Sequence, residues 1–240
     1  MTENTGKLTH YRYLAMEKYL LILRNMKKFT LICLLTVFLS KTIFSQDPEN
    51  KSEGFLTIFD GADLSMIDTD GNWSIQEDGS LFLEPREGEK GWKRYNHYVW
   101  LKDSYSDFEC EFEYKHEKGG NSGFYFRVSD RADPVNSGFE VQIKDSEDLG
   151  DDEMGPHDLG GVIKTKGATA NPGKPAGQWN KMKVTMKGNH LEVVLNGVTI
   201  QDFDLAKAKP EDKALAAEGF ITIQDHGIPF WLRNIRVKRL

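Results

Sequence analysis

Two cysteines in 240 residues leave almost no room for disulfide chemistry. Cys33 sits in an apolar run near the N-terminus and Cys110 stands alone in the remainder. Once that run is removed, no internal cross-link can form and no cysteine metal site is available, so the fold must be held by its core. Long apolar stretches are missing too. Phe29 to Leu39 is the longest, about a dozen residues, which suits a signal-peptide core and is too short for an ordinary membrane span of about 20 residues. Surplus positive charge is also absent. Of 31 basic and 37 acidic residues, seven and two fall in residues 1–45, so residues 46–240 carry a net charge of −11. That balance argues against nucleic acid or an anionic membrane as partner and is compatible with a neutral ligand such as a sugar. Several strong catalytic signatures are missing: no G-x-S-x-G elbow, no H-E-x-x-H, no P-loop and no Rossmann glycine pattern. Asp68-Thr69-Asp70-Gly71 lacks the spacing of a calcium loop and reads as a turn.

What is present begins with an export signal. Met26-Lys27-Lys28 is a basic start ahead of the apolar run, Ser40 to Ser45 turns more polar, and cleavage after Ser45 would leave Gln46 first. Residues 1–25 are long and mixed in charge for a signal n-region, so Met26 is the expected true start. Residues 1–45 are therefore read as extension and signal peptide, 46–54 as a linker, and 55–240 as one domain. The protein is expected to be secreted or periplasmic, with no stable membrane insertion after processing.

From Phe55 onward, short alternating runs are separated by Gly, Asn, Asp and Pro, the pattern of a sandwich or barrel. Phe108, Cys110, Phe112 and Tyr114 alternate with Glu109, Glu111, Glu113 and Lys115. The period of two gives one apolar and one wet face. Phe124-Phe126-Val128 repeats it with Tyr125 and Arg127 opposite, and Phe139-Val141-Ile143 with Glu140, Gln142 and Lys144 opposite. Gly188-Asn189 and Asn196-Gly197 mark two hairpins linking 182–187, 190–195 and 198–203, since Asn-Gly accepts positive φ at both positions. Strands are expected at 219–224 and 230–238, and one short helix at 205–217, broken by Pro210. Roughly a dozen strands suffice for two packed sheets. Residues 144–178 read as a long functional loop.

Chemistry must then reside in polar residues on strand faces and adjoining loops. Arg127, Glu140, Gln142 and Gln224 project opposite apolar neighbours; Asp145, His157, Asp225 and His226 fall at strand ends or in loops. Collected on one sheet face they would bind a polar substrate and move protons; left apart they are solvated outer-face residues. Trp92, Tyr95, Tyr98 and Trp100 form an aromatic cluster, of which Trp100 is a candidate sugar platform. Trp73 and Trp179 are assigned to the core, and Trp231 lies near the C-terminus.

A set of ordered motifs adds to this. Phe59-Asp60-Gly61-Ala62-Asp63-Leu64, Asp107-Phe108, Gly119 to Arg127, Gly138 to Asp145, Gln178-Trp179-Asn180, Leu195-Asn196-Gly197, Gln224 to Gly227 and Leu232 to Ile235 resemble, in order, the motifs of the 3-keto-disaccharide hydrolase domain family. Gly160-Gly161-Val162-Ile163 departs from a family segment that carries a tyrosine, and Lys144 replaces an apolar residue. The resemblance implies an all-β, two-sheet antiparallel jelly-roll sandwich of the concanavalin A-like lectin and glucanase type. It also implies action on 3-keto-glycosides by C2 proton abstraction and elimination of the C1 substituent, with or without rehydration. Under it, His157 or His226 is the expected base, since an imidazole titrates near neutrality. Glu140 and Asp145 are expected to be acid/base groups or metal ligands. Asn121, Arg127, Gln142, Gln224 and Trp100 are expected to hold the carbohydrate. A divalent metal ion held by His and carboxylate oxygen would suit enolate chemistry. The alternative is a non-catalytic carbohydrate-binding module. The enzyme needs Arg127, Glu140 and a histidine converging in one pocket; the module needs an aromatic platform without a buried ionisable cluster.

Overall fold

The computed structural model describes residues 54–240. The extension, the signal sequence, the start at Met26, Cys33 and all but the last residue of the 46–54 linker lie outside the described residues. Among the described residues, no helix is long and apolar enough to cross a membrane.

Strands dominate: β1 (Leu56–Phe59), β2 (Ile67–Asp68), β3 (Trp73–Ile75), β4 (Leu81–Leu83), β5 (Val99–Tyr105), β6 (Phe108–His116), β7 (Asn121–Val128), β8 (Phe139–Lys144), β9 (Asn180–Lys187), β10 (His190–Leu195), β11 (Val198–Asp204), β12 (Gly219–Ile223) and β13 (Phe230–Arg239). They form two antiparallel sheets. One runs β11-β10-β9-β6-β13-β4-β3, with β1 also on β13; the other runs β2-β5-β12-β7-β8. This is the expected jelly-roll sandwich of the concanavalin A-like type.

The alternation in β6 decides its two faces. Phe108, Cys110, Phe112 and Tyr114 are buried between the sheets, against Phe124, Phe126, Val141 and Ile143 from β7 and β8. Each such side chain contributes roughly 1.5–3 kcal/mol through burial. Cys110 behaves there as a small hydrophobe, and burial pushes its thiol well above the ordinary range. The expected hairpins are present, with Asn196 at φ 50° and Gly197 at φ 87° in the second turn.

Two expectations need correction. The helix expected over 205–217 is one turn, Leu205–Ala208, because the residue before Pro210 is driven out of helical geometry. The loop expected over 144–178 is present between β8 and β9, and it is anchored: Met154, Leu159 and Val162 enter the core, and Val162 bridges to Val141 at the edge of β8. Trp179 lies outside the sandwich, with Arg233 4.0 Å and Lys115 5.0 Å from its ring.

Two bulges reset the alternation. In β13 the register slips between Arg233 and Arg236, with Asn234 at φ 53°. Arg233 and Arg236 thereby share the outer face while Ile235 stays in the core. In β7 two residues oppose one of β12, with Arg127 at φ 53°. Val128 consequently joins Tyr98, Trp100 and Tyr125 on the outer face of the five-stranded sheet, and Arg127 is turned off it.

Candidate active site

The outer face of the five-stranded sheet carries the candidate site. Cross-strand pairing sets Tyr125 opposite Glu140, Gly123 opposite Gln142 and Asn121 opposite Lys144 on β7 and β8. On the other flank Thr222 of β12 pairs with Tyr125, and the Gln224 amide donates to the Gly123 carbonyl at 2.8 Å. Strand pleating therefore brings Tyr125, Glu140 and Gln224 to the same space above Gly123, while Gln142 shares the face but turns its Oε1 to accept from the Ile143 amide at 3.1 Å.

The absent side chain at Gly123 makes that space. A Cβ there would stand 2.0 Å from Glu140 Oε1, so the carboxyl lies directly over the glycine. The Tyr125 hydroxyl donates to Glu140 Oε2 at 2.6 Å, and Gln224 Nε2 is 3.5 Å from Glu140 Oε1 and 3.3 Å from the Tyr125 oxygen. Burial disfavours the carboxylate and pushes the Glu140 pKa up to about 7, while the Tyr125 hydrogen bond and the Lys213 charge act against that rise. Burial also drives the phenols of Tyr98 and Tyr125 upward, which keeps both as donors. A cavity of about 200 Å³ opens beside Glu140, lined by Tyr125, Asn136, Ile163, Lys164, Lys213 and neighbouring residues. The Lys213 ammonium donates to the Val135 carbonyl at 2.9 Å, and desolvation, followed by the Lys164 charge, lowers its pKa. Lys164 adopts a left-handed φ of 57° in the same wall.

The other expected residues are not brought to Glu140. Arg127 reaches the far end of the sandwich, where its guanidinium donates to the carbonyls of Ala216, Ala217 and Gly188 and pairs with Asp107 at 3.2 Å. The bulge reverses its side, so Arg127 ties turns of the two sheets together. Asp145 accepts from the amides of Gly119 and Glu147, and the Gly119 bond holds its carboxyl below the usual carboxylate range. It clamps a turn. His157 is exposed in the loop, beside an Asp158 that pairs with Lys144 at 2.9 Å. His226 follows β12 and is half-buried, with desolvation lowering its pKa; its carbonyl accepts from Gly91. Neither imidazole hydrogen-bonds the Glu140 network among the described residues. Asn121 shares the Tyr125 face at the start of β7. Trp100 is on the same outer face but covered: its indole donates to the Tyr95 carbonyl at 2.7 Å and Arg131 stacks 4.8 Å from its ring.

Sequence reasoning gives Tyr98 and Tyr125 no role at the site and does not reach Lys164 or Lys213. Alternation already put Tyr125 opposite Phe124, and that was the usable signal. The lysines come from loop paths with no periodic signature. The residues also fail to suit a divalent cation: among those described, no three His, Cys, Asp or Glu side chains gather, and Glu140 is surrounded by phenol, amide and ammonium groups.

Residues 54–238 match the 3-keto-alpha-glucoside-1,2-lyase-like domain. A Bacteroides thetaiotaomicron protein named 3-keto-disaccharide hydrolase is 30% identical over 236 residues, covering 79% of each chain. Two solved structures from Parabacteroides distasonis, described as candidate glycosyl hydrolases, are similar in fold. One has a TM-score of 0.64 at 24% identity, covering 79% of this chain and 96% of the other. The second has a TM-score of 0.62 at 26% identity, covering 78% and 99%.

Proposed function

Since the chain belongs to the 3-keto-alpha-glucoside-1,2-lyase-like domain family, we propose that it is an exported glycoside-cleaving enzyme acting on sugars with a ketone at C3, with Glu140 as the base. The observation that carries this reading is the Glu140 carboxyl itself. It is buried over Gly123, bonded to Tyr125, and titrates at about 7 in a cavity wide enough for the edge of a sugar. A general base works best with a pKa near the working pH. Burial gives a carboxylate here the role first assigned to an imidazole. A sugar-binding module has no use for such a group, which supports catalysis over simple recognition.

The chemistry follows from the substrate. Glu140 takes the C2 proton, whose acidity comes from the adjacent ketone. The C–H electrons form a C2–C3 double bond and the charge moves to the C3 oxygen. That enolate then collapses: a C1–C2 double bond forms, the C1–O bond breaks, and the aglycone oxygen takes a proton from water and departs as an alcohol. If the hydroxide left behind adds to C1, Glu140 returns its proton to C2, giving net hydrolysis; if instead the hydroxide takes the Glu140 proton, the enone is released. Lys213 and Lys164 supply the positive charge a developing enolate needs, and Tyr125 and Gln224 fix the carboxyl.

The test is release of nitrophenol from 4-nitrophenyl 3-keto-glucoside by the purified protein, with and without chelator. Release is expected, with kcat/KM rising with pH through about 7 as Glu140 ionises. Glu140→Ala should lower it by about a thousandfold, within the range of general-base contributions. Absence of release under every condition would reject the enzyme reading. The mass of the processed protein would test export by showing whether Gln46 is its first residue.

A further inference from the structure

One cross-strand row traverses the whole five-stranded sheet. Asp68 pairs with Trp100, Trp100 with Thr222, Thr222 with Tyr125 and Tyr125 with Glu140. Four strand intervals separate its ends, roughly 19 Å at the usual spacing of about 4.8 Å. The Glu140 cavity occupies one end. At the other a second cavity, about 440 Å³, opens against β2 and is lined by Asp68, Asp70, Asn96, Trp100 and Arg131. Its volume falls within the roughly 300–1,000 Å³ typical of small-molecule sites.

The composition of this second hollow is that of a polyol site. Asp68, Asp70 and the Asn96 amide offer acceptors and donors for hydroxyl groups, and Asp70 and Asn96 are exposed. Arg131 lies 4.8 Å from the Trp100 ring and 5.4 Å from Phe220, which fixes its guanidinium as a planar fork along the wall. Its pairing with Asp68 at 3.2 Å is solvent-exposed on both sides, so it is weak and yields readily to a competing hydroxyl. Among the described residues no three His, Cys, Asp or Glu side chains gather to hold a cation, and an anion is disfavoured by the two carboxylates. A neutral ligand rich in hydroxyls fits both.

We propose that this hollow is a remote carbohydrate subsite, holding a sugar residue several units along the chain from the bond cleaved at Glu140. The proposal rests on the function given above for its substrate class. Trp100, Thr222 and Tyr125 in the middle of the row are buried, with Tyr95, Val135 and Phe220 packed on that face, so the ligand passes over this cover; the span between the two hollows exceeds the reach of a disaccharide and predicts a preference for longer glycosides.

The experiment compares 3-keto-maltose with 3-keto-maltotetraose, each oxidised on the non-reducing sugar, for wild type and an Asp70→Ala, Asn96→Ala double variant. Wild type should favour the tetrasaccharide at least tenfold in kcat/KM, and the variant should bring the ratio near one. An unchanged ratio in a variant with wild-type melting temperature would overturn the subsite. Calorimetry with unoxidised maltotetraose and cellotetraose separates this outcome from failure of the enzyme reading. Binding by wild type that the double variant loses supports the subsite even if no keto-sugar is cleaved. Absence of binding for both tetrasaccharides, together with equal rates on the two keto-sugars, would sink it.

Discussion

The two outer faces of this sandwich both bear strand carboxylates and treat them in opposite ways. On the eight-stranded sheet, Glu111 and Glu113 project from β6 into a lattice of cations. Arg236 donates to Glu111 at 2.7 and 3.1 Å, Lys181 approaches it at 3.2 Å, and Arg233 donates to Glu113 at 2.6 and 3.0 Å. Burial alone would raise both carboxyls, but these partners, together with the Asn234 amide that donates to Glu113 at 2.8 Å, outweigh it and hold them below the usual range. On the five-stranded sheet Glu140 hydrogen-bonds a phenol and an amide, and burial prevails over these and over the Lys213 charge. A bulge makes each difference. At Asn234 it keeps two arginines on the charged face; at Arg127 it removes the arginine of β7 from the other. One device, placed in two strands, thus separates a stabilising surface from a reactive one.

The largest expected effect comes from erasing that separation at Glu140. Its folded pKa of about 7 exceeds the unfolded value of 4.5, so the native state binds the proton more tightly. The Glu140 contribution to stability is therefore greatest below about 4.5, falls as pH rises toward 7, and stays low beyond. The cost at pH 8 is on the order of 3 kcal/mol at 1.36 kcal/mol per pKa unit. Glu140→Gln should accordingly be more stable than wild type at pH 8 and near-equal at pH 4.5, while losing activity. Denaturant titrations at both pH values check this. A variant whose stability relative to wild type ignores pH would show that the carboxylate is better solvated than its position implies.

The bulge at Arg127 is the second place to break the comparison. Its guanidinium satisfies three carbonyls and Asp107 with its side chain 4% exposed. Arg127→Met should cost about 2–4 kcal/mol, because buried acceptors lose a charged donor. The measurement is a urea midpoint beside kcat on the folded protein. A loss of kcat with unchanged stability would return Arg127 to the sugar site.

How far the sequence revealed this depended on parity. Period-two alternation in 108–115 and 139–144 located the core, and with it the outward positions of Glu140 and Gln142. The same alternation mis-sited Arg127, because a bulge at a non-glycine residue leaves no mark in composition, and the positive φ that creates it is set by tertiary hydrogen bonds. Trp179 was assigned to the core on hydrophobicity; its ring instead lies under Arg233 and Lys115, where cations cover an indole as well as apolar atoms would. Lys213 was placed in a helix that Pro210 forbids, and only the return path of that loop brings it to the cavity. Histidine was the natural choice of base because an unperturbed imidazole titrates near neutrality. That a glutamate reaches the same range depends on burial, which one strand does not disclose.

The smallest effect belongs to the charged face, and it sharpens the contrast by its sign. Glu111 is held below its ordinary pKa, so its contribution is present above the unfolded value of 4.5 and is lost as pH falls through the folded one. Glu111→Gln should therefore lower stability at pH 7, and the loss should shrink as pH falls below 4.5, the reverse of the Glu140 variant. Its partners retain water on one side, with the side chain of Lys181 58% exposed and that of Arg236 27% exposed, so screening keeps the loss to about 1 kcal/mol or less. Added salt should shrink it further, whereas the pH 8 gain from Glu140→Gln, arising from desolvation, should persist in salt. Urea midpoints at pH 3 and 7, with and without 1 M sodium chloride, test both statements. If the Glu111 loss grew at low pH, or the Glu140 gain vanished in salt, the two faces would not differ in the physical way their partners indicate.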